Sequence, residues 1–493
     1  MQTSPPVPTS AGAVRGTVRD HDTAFLGVPF AAPPVGDLRF AAPERPRPWS
    51  GTRDAVAYGP TTTRLSKLMR SPHAIPGDET LNLNVFTPDP STEAGLPVLV
   101  WIYGGAFIAG SAASPLYDGA PFTRHGIVFV SITHRLGMDG FGAIAGAPAN
   151  RGIRDQVAAL EWVRENVRAF GGDPSRVTVW GQSSGGSSVI RLLTLPQATG
   201  LFSAAIASSP GLVQVGATDA FEIADELARY LGVSPSRQGL AAVPEEDVLD
   251  AQFEAFGPES PFETSVRMST GVPQRFGPMV DGDYLAVDME TGLAAGLGKD
   301  VPLLTGATMD EFTARIPGGE QMNDLPLHEA LSRAGFDHSS SEEYSHRFPG
   351  RSASWIAGHR MGDRIFRGFA GRILEHRLAA PAPTWGYDFA WSPAGSEFGA
   401  THGLDNPLFF DAIEAGIAEG VDVATAPRHL VDRMHSDISH FATHHKAPWP
   451  AYTSADRLVR RYGETTELVS DPFSFERDVL RPEPLTLSSP DLP

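Results

Sequence analysis

Cysteine is absent from this chain of 493 residues, which excludes disulfide bonds and metal sites built on thiolates. Positive charge is scarce, because 39 Lys and Arg stand against 58 Asp and Glu and leave a net charge of −19. That balance disfavours nucleic acid or an anionic membrane as a partner. No apolar run approaches the roughly 18 residues of a membrane-spanning helix, so none is predicted.

The N-terminal segment has no basic stretch followed by an apolar one, so it predicts no secretory signal peptide. Together with the missing cysteines, this favours the cytoplasm. The length alone favours two or three domains. The end of the chain, 481–493, is rich in proline and poor in core residues, and we expect it to form a flexible tail.

The most informative segment is Gly181–Gly186, which reads Gly-Gln-Ser-Ser-Gly-Gly. It follows a β-type apolar run, Val177–Trp180, and precedes a sequence typical of a helix. A strand, a Gly-x-Ser-x-Gly turn and a helix form the nucleophile elbow of the α/β-hydrolases. The pattern therefore predicts that Ser183 is a nucleophile. The main-chain N–H of Ser184 would donate to an oxyanion.

A second glycine-rich loop follows the predicted central strand Leu96–Tyr103. It begins with Gly104 and Gly105, whose N–H groups are the candidates for the other oxyanion donors. The alternative is an ordinary glycine-rich turn, which the elbow downstream makes the weaker interpretation. Phe107 lies in the same loop and is a candidate for the substrate pocket.

Four blocks of sequence resemble the type B carboxylesterase family, which includes para-nitrobenzyl esterases and cholinesterases. They occur in the family's order, and the resemblance extends from about Gly16 to Arg477. The blocks are Phe25–Phe40, Leu81–Phe86, Asp155–Val163 and Phe170–Pro174.

The resemblance implies one α/β-hydrolase domain over 1–493, against the estimate from length. Its large, mostly parallel central sheet would be flanked by helices. Helical insertions at about 212–275 and 315–380 would cover the active site.

The other two triad members are expected in the chain order Ser, acid, His. The resemblance of 303–311 to a family block that ends in Asp-Glu makes Glu311 the candidate acid and Asp310 its rival. The resemblance of 399–407 to the family's histidine loop makes His402 the general base.

His440 and His444 lie four residues apart on a predicted helix, a spacing that could bind a metal ion. No third ligand is near them in the sequence, so a solvated face is the favoured interpretation. The serine mechanism requires neither a metal nor an organic cofactor, and none is predicted.

The predicted activity is hydrolysis of carboxylic esters through an acyl-enzyme, with a small-molecule ester as the partner. Two alternatives stay open: a carbamate or amide hydrolase of the same fold, and a non-catalytic cholinesterase-like binding protein. The choice between a monomer and a small homo-oligomer is also open. Gln182 stands where the family usually has Glu, and it joins Phe409 and Phe410 as a candidate pocket residue.

Overall fold

The computed structural model describes residues 2–62, 73–254, 275–314 and 319–480. In this part of the chain the strands are β1 (Val7–Pro8), β2 (Ala13–Arg15), β3 (Thr17–Val18), β4 (Thr23–Pro29), β5 (Thr52–Asp54), β6 (Asn82–Thr87), β7 (Leu96–Ile102), β8 (Val128–Ile132), β9 (Gly172–Gln182), β10 (Ala204–Ser208), β11 (Leu303–Thr308), β12 (Thr384–Phe389), β13 (Leu458–Tyr462) and β14 (Thr466–Ser470).

Within the described ranges, eleven strands form one sheet in the order β14-β13-β12-β11-β10-β9-β7-β8-β6-β4-β3. The strands from β13 across to β8 run parallel to their neighbours. Antiparallel strands complete both edges. β1, β2 and β5 form a separate small sheet. The prediction of a large, mostly parallel central sheet is confirmed.

Helices surround this sheet. They are α1 (Ala120–Thr123), α2 (Gly137–Phe141), α3 (Arg151–Asn166), α4 (Ser184–Leu193), α5 (Ala217–Tyr230), α6 (Arg237–Ala241), α7 (Glu245–Glu254), α8 (Met289–Ala294), α9 (Glu320–Asn323), α10 (Leu327–Arg333), α11 (His338–Arg347), α12 (Ala353–Gly362), α13 (Gly368–His376), α14 (Asn406–Phe409), α15 (Ile413–Ala418), α16 (Arg428–His444) and α17 (Ser474–Val479).

Alternation along β7 explains why helices cover both faces of the sheet. Side chains of successive strand residues point to opposite faces. Val98 and Val100 pack in a core cluster with α3 and α4 residues such as Leu160. Leu99 and Trp101 pack in a second cluster with residues of α16. Both faces of this strand are therefore apolar, as a buried parallel strand requires.

The structure differs from the predicted elements in four places. Proline and glycine over 44–60 predict a connection, but that stretch contains β5. The sequence also predicts an irregular stretch over 237–275, which contains α6 and α7, and one helical segment over 352–378, which consists of α12 and α13 joined by a π-helical turn at Asp363–Arg367. The hairpin of β13 and β14 was not predicted, because the interior of β13 reads Arg460-Arg461 and lacks an apolar run.

The two spans predicted to cover the site contribute α5–α7 and α9–α13 to the described structure. Residues 255–274 and 315–318 of those spans, and the predicted tail 481–493, lie outside the described residues. The division into one domain with two insertions stays a prediction. In the part of the chain described, no helix has both the length and the apolar character needed to cross a membrane.

Candidate active site

The sharp turn between β9 and α4 presents Ser183 at the carboxyl edge of the sheet. Ser183 has φ 58° and ψ −125°, a strained conformation for a residue with a side chain. The flanking glycines are needed for close packing: a Cβ on Gly181 would lie 2.3 Å from the Gly185 carbonyl oxygen. A Cβ on Gly185 would lie 2.1 Å from the Ile102 carbonyl oxygen. The turn therefore has the compactness that the elbow motif predicts.

Glu311 and His402 meet at the ends of β11 and β12. The Glu311 carboxylate is buried, with 1% of the residue exposed. Its Oε1 accepts from the Thr308 N–H at 3.0 Å, and its Oε2 contacts His402 Nδ1. The His402 N–H also donates to the Glu311 carbonyl oxygen at 2.8 Å. Because a carboxylate accepts, Nδ1 carries the proton, and the neutral imidazole keeps Nε2 as its acceptor.

Asp310, the rival acid, has a different set of contacts. Its Oδ2 accepts from the Ala400 N–H at 2.9 Å, and its own N–H donates to the Ala400 carbonyl oxygen at 2.9 Å. Its Oδ1 lies 3.5 Å from His359 Nδ1. Burial raises the pKa of Asp310, an effect that nearby His359 partly opposes. Asp310 therefore connects the loop after β11, here called the acid loop, with the loop that contains Ala400 and His402. Glu311 is the carboxylate that contacts His402.

Ser183 and His402 both line a cavity of about 530 Å³ at this edge of the sheet. The side-chain nitrogen Nε2 of Gln182 lies 3.2 Å from the imidazole Nε2 of His402. Among the described residues, no hydrogen bond joins the Ser183 hydroxyl to His402. Gln182 also lines the cavity. The sequence predicted Gln182 as a pocket residue but carried no signal for its contact with a histidine 220 positions away.

The loop after β7 is strained over three successive residues. Gly105 has φ 131°, Ala106 has φ 57° and Phe107 has φ 61°. The Gly105 carbonyl oxygen accepts from Ala109 N at 2.9 Å, which holds the turn. Gly105, Ala106 and Ser184 line the cavity, and Gly104 lies next to Ser183, whose Cβ would be 2.9 Å from a Cβ on that glycine. The role of Gly104, Gly105 and Ser184 as oxyanion donors stays a prediction.

Three of the predicted pocket residues pack in the core. Phe107 is fully buried and packs on the Phe141 ring at 4.7 Å between centroids. Phe409 and Phe410 are also fully buried, and Phe410 stacks on Trp180 at 4.7 Å. None of the three lines the cavity in the described structure. The loop and α14 turn these side chains toward the core, and a role for them in the pocket stays a prediction.

Other aromatic side chains form the cavity wall. Phe366 lies beside the His402 ring at 4.3 Å between centroids, and Phe312 lies at 5.3 Å. Phe398 is on the rim and is 47% exposed. Phe366 belongs to the π-helical turn that interrupts the long predicted helix. That turn brings an aromatic ring to His402, and π-bulges occur frequently at functional sites.

Buried charged side chains pack next to the loop that carries Glu311. Arg367 Nη1 donates to Asp388 Oδ1 at 2.8 Å and to the Thr308 carbonyl oxygen at 3.1 Å. Asp405 accepts from the Tyr387 hydroxyl at 3.2 Å. Burial first, and the nearby Glu311 charge second, raise the pKa of Asp405 to about 7. The cluster contacts the ends of β11 and β12 and the loop that carries His402.

The predicted His pair lies on α16, with the His440 and His444 rings 4.4 Å apart between centroids. Within the ranges that the structure describes, no group of three or more His, Asp and Glu side chains is arranged to hold a metal ion. The favoured interpretation of this pair, a solvated face, stays a prediction.

A parallel-centred sheet with a serine elbow and an acid–histidine pair at its carboxyl edge defines the chain as an α/β-hydrolase. The model of the carboxylesterase family matches residues 3–474. The chain belongs to the carboxylesterase family.

Three relatives of known name match this chain over most of its length. The chain is 32% identical to the para-nitrobenzyl esterase of Bacillus subtilis (strain 168), over 97% of this chain and 98% of that protein. It is 31% identical to the phenmedipham hydrolase of Pseudarthrobacter oxydans, over 98% and 99%. It is 34% identical to the fumonisin B1 esterase of Sphingopyxis macrogoltabida, over 82% and 74%.

Solved structures show the same fold. The carboxylesterase Est55 of Geobacillus stearothermophilus superposes with a TM-score of 0.84 at 31% identity, over 97% of this chain and 100% of that one. A thermophilic PNB esterase superposes with a TM-score of 0.84 at 32% identity, over 97% and 99%. The predicted resemblance, fold class and carboxylic ester hydrolysis are confirmed. The roles of individual residues stay predictions.

Proposed function

We propose that Ser183, His402 and Glu311 form the triad with which this carboxylic ester hydrolase works. The observation that carries the proposal is the contact of Glu311 Oε2 with His402 Nδ1, in a cavity that Ser183 shares. The buried carboxylate would hold the imidazole in the tautomer that leaves Nε2 free to accept a proton. It would also stabilise the imidazolium that forms during attack.

The reaction would proceed in two halves. Ser183 Oγ attacks the ester carbonyl while His402 Nε2 takes its proton, and the same proton then goes to the leaving alcohol. Water, activated by the same base, cleaves the acyl-enzyme and regenerates the serine. In the reactive complex the Ser183 hydroxyl would replace the Gln182 amide as the donor to Nε2, since catalytic hydrogen bonds often form only with substrate bound.

We propose the main-chain N–H groups of Gly105, Ala106 and Ser184 as the oxyanion donors. All three residues lie on the cavity wall beside Ser183. Ser184 is the first residue of α4, whose first-turn N–H groups have no partner within the helix. Loss of one such donor typically costs about 3 kcal/mol of transition-state stabilisation.

The lining favours small or medium, apolar esters with an aromatic group. Phe312, Phe366 and Val213 form an apolar wall next to His402. A cavity of about 530 Å³ is in the usual range for one small ligand. Two of the relatives above are called esterases and one a phenmedipham hydrolase, which supports testing more than one acyl chemistry. Rates on an ester, a carbamate and an anilide with one common aromatic group would rank these substrates, with the ester expected first.

The Ser183→Ala variant tests the nucleophile. It should lower turnover of p-nitrophenyl butyrate by at least about a thousandfold, because the acyl-enzyme can no longer form. A fluorophosphonate should label the parent enzyme at the peptide that contains Ser183, and it should leave the variant unlabelled. Thermal melting of both proteins controls for folding. A variant that keeps a tenth of the activity would exclude Ser183 as the nucleophile.

A further inference from the structure

The side chain of Gln182 lies between the loop after β7 and His402. Gln182 is the last residue of β9 and is 5% exposed. Its Oε1 packs so close to Gly104 that a Cβ there would lie 2.8 Å from it. Its Nε2 lies on the other side, 3.2 Å from His402 Nε2. The side chain therefore spans from the loop after β7 to the imidazole.

The proton positions follow from this arrangement. His402 Nδ1 contacts a carboxylate and carries the proton, so Nε2 of the neutral ring is an acceptor. The group that faces it must donate, which the NH₂ of Gln182 does. If His402 gained a second proton, two donors would face each other and this hydrogen bond would be lost. The amide thus favours the neutral base over the imidazolium.

We propose that Gln182 is a positioning residue that keeps His402 neutral between turnovers and so extends the esterase activity to lower pH. This inference rests on the proposed triad. Glutamate has the same shape as glutamine but only accepts hydrogen bonds when ionised. In that position it would stabilise the imidazolium, and more of the enzyme would be inactive at mildly acidic pH.

The other ionisable groups around His402 do not depend on residue 182. Glu311 is in direct contact, and Asp363 and Asp405 act on Glu311 from behind. Asp310 lies on the same loop as Glu311. The cavity wall adds two further carboxylates, Glu419 and Asp422. A change at position 182 therefore alters one partner of the base against a constant background.

The test compares the pH dependence of kcat/KM for the parent, Gln182→Glu and Gln182→Met. Activity falls on the acidic side as the base becomes protonated. We expect Gln182→Glu to shift this acidic limb of the pH profile to higher pH by about one unit, because a new negative charge within hydrogen-bond distance favours the protonated imidazole. Gln182→Met has a similar length but neither donor nor charge, and it should move the limb by less than about half as much.

The outcomes separate this inference from the proposed triad. A limb for Gln182→Glu that stays within about 0.2 pH units of the parent would overturn the role of Gln182. So would a shift of equal size in Gln182→Met, since packing alone would then explain it. If a fluorophosphonate labels Ser183 in all three proteins, the proposed triad stands whichever result the pH profiles give. Activity that survives in Ser183→Ala would instead overturn the triad itself.

Discussion

Replacing Glu311 with glutamine changes one atom of the proposed triad and has a defined structural outcome. The Thr308 N–H donates to Oε1, so the carbonyl oxygen of the new side chain must take that position. The NH₂ group then faces His402 Nδ1, which must accept and cannot carry a proton. The proton moves to Nε2, the atom that should receive the proton of the serine. The variant would therefore hold the base in the wrong tautomer.

The expected loss follows from that tautomer. Reversing it in a serine triad lowers kcat by about 10⁴-fold, which corresponds to about 5 kcal/mol in activation free energy. Asp310→Asn serves as the matched control. The asparagine carbonyl can still accept from the Ala400 N–H, so we expect a loss of less than about tenfold.

The assay is kcat/KM for p-nitrophenyl butyrate, measured with purified protein after titration of active sites. Thermal melting establishes that both variants are folded at the assay temperature. If Glu311→Gln keeps more than about a tenth of the activity, the tautomer argument is wrong. If Asp310→Asn loses more activity than Glu311→Gln, the acid of the triad is Asp310.

Two other predictions concern the oxyanion loop and acid stability. Gly105→Ala should lower kcat about a hundredfold, because its Cβ would lie 2.2 Å from the Ala109 carbonyl oxygen and displace a proposed oxyanion donor. A variant with unchanged kcat would exclude the Gly105 N–H as an oxyanion donor. Burial lowers the pKa of His134 from 6.5 to about 4, so the unfolded chain binds a proton first and stability is lost as pH falls below 6.5. Denaturant melts of His134→Gln should therefore show about 2 kcal/mol less destabilisation between pH 7 and pH 5 than the parent, and equal pH dependence would contradict this.

Local patterns were sufficient for the centre of the fold. The β-type run 384–389 predicts a strand from the sequence alone, and β12 has those bounds. The nucleophile elbow was also predictable, because its glycines are required by backbone contacts within the turn. The strands at the edge of the sheet were harder to predict from the sequence. The Arg460-Arg461 pair in β13 forms salt bridges to Asp437 and Asp388, contacts that exist only after folding.

The details of the site depended on long-range packing. The assignment of Ala106 to the cavity wall depends on backbone with φ 57°, against the preference of an alanine. The contact of Gln182 with His402 joins residues that no local pattern connects. Glu311 and Asp310 are distinguished only by their contacts in the folded chain, where Glu311 reaches His402 and Asp310 accepts from Ala400 N–H.

The backbone at Ser183 has a consequence for engineering. Glycine adopts φ 58° and ψ −125° without the steric cost of a side chain, so Ser183→Gly would relieve part of a cost of about 1–3 kcal/mol. Selection for heat resistance alone would then reward loss of the hydroxyl. Because Ser183 is the proposed nucleophile, a thermostability screen on this enzyme needs a turnover readout in every round.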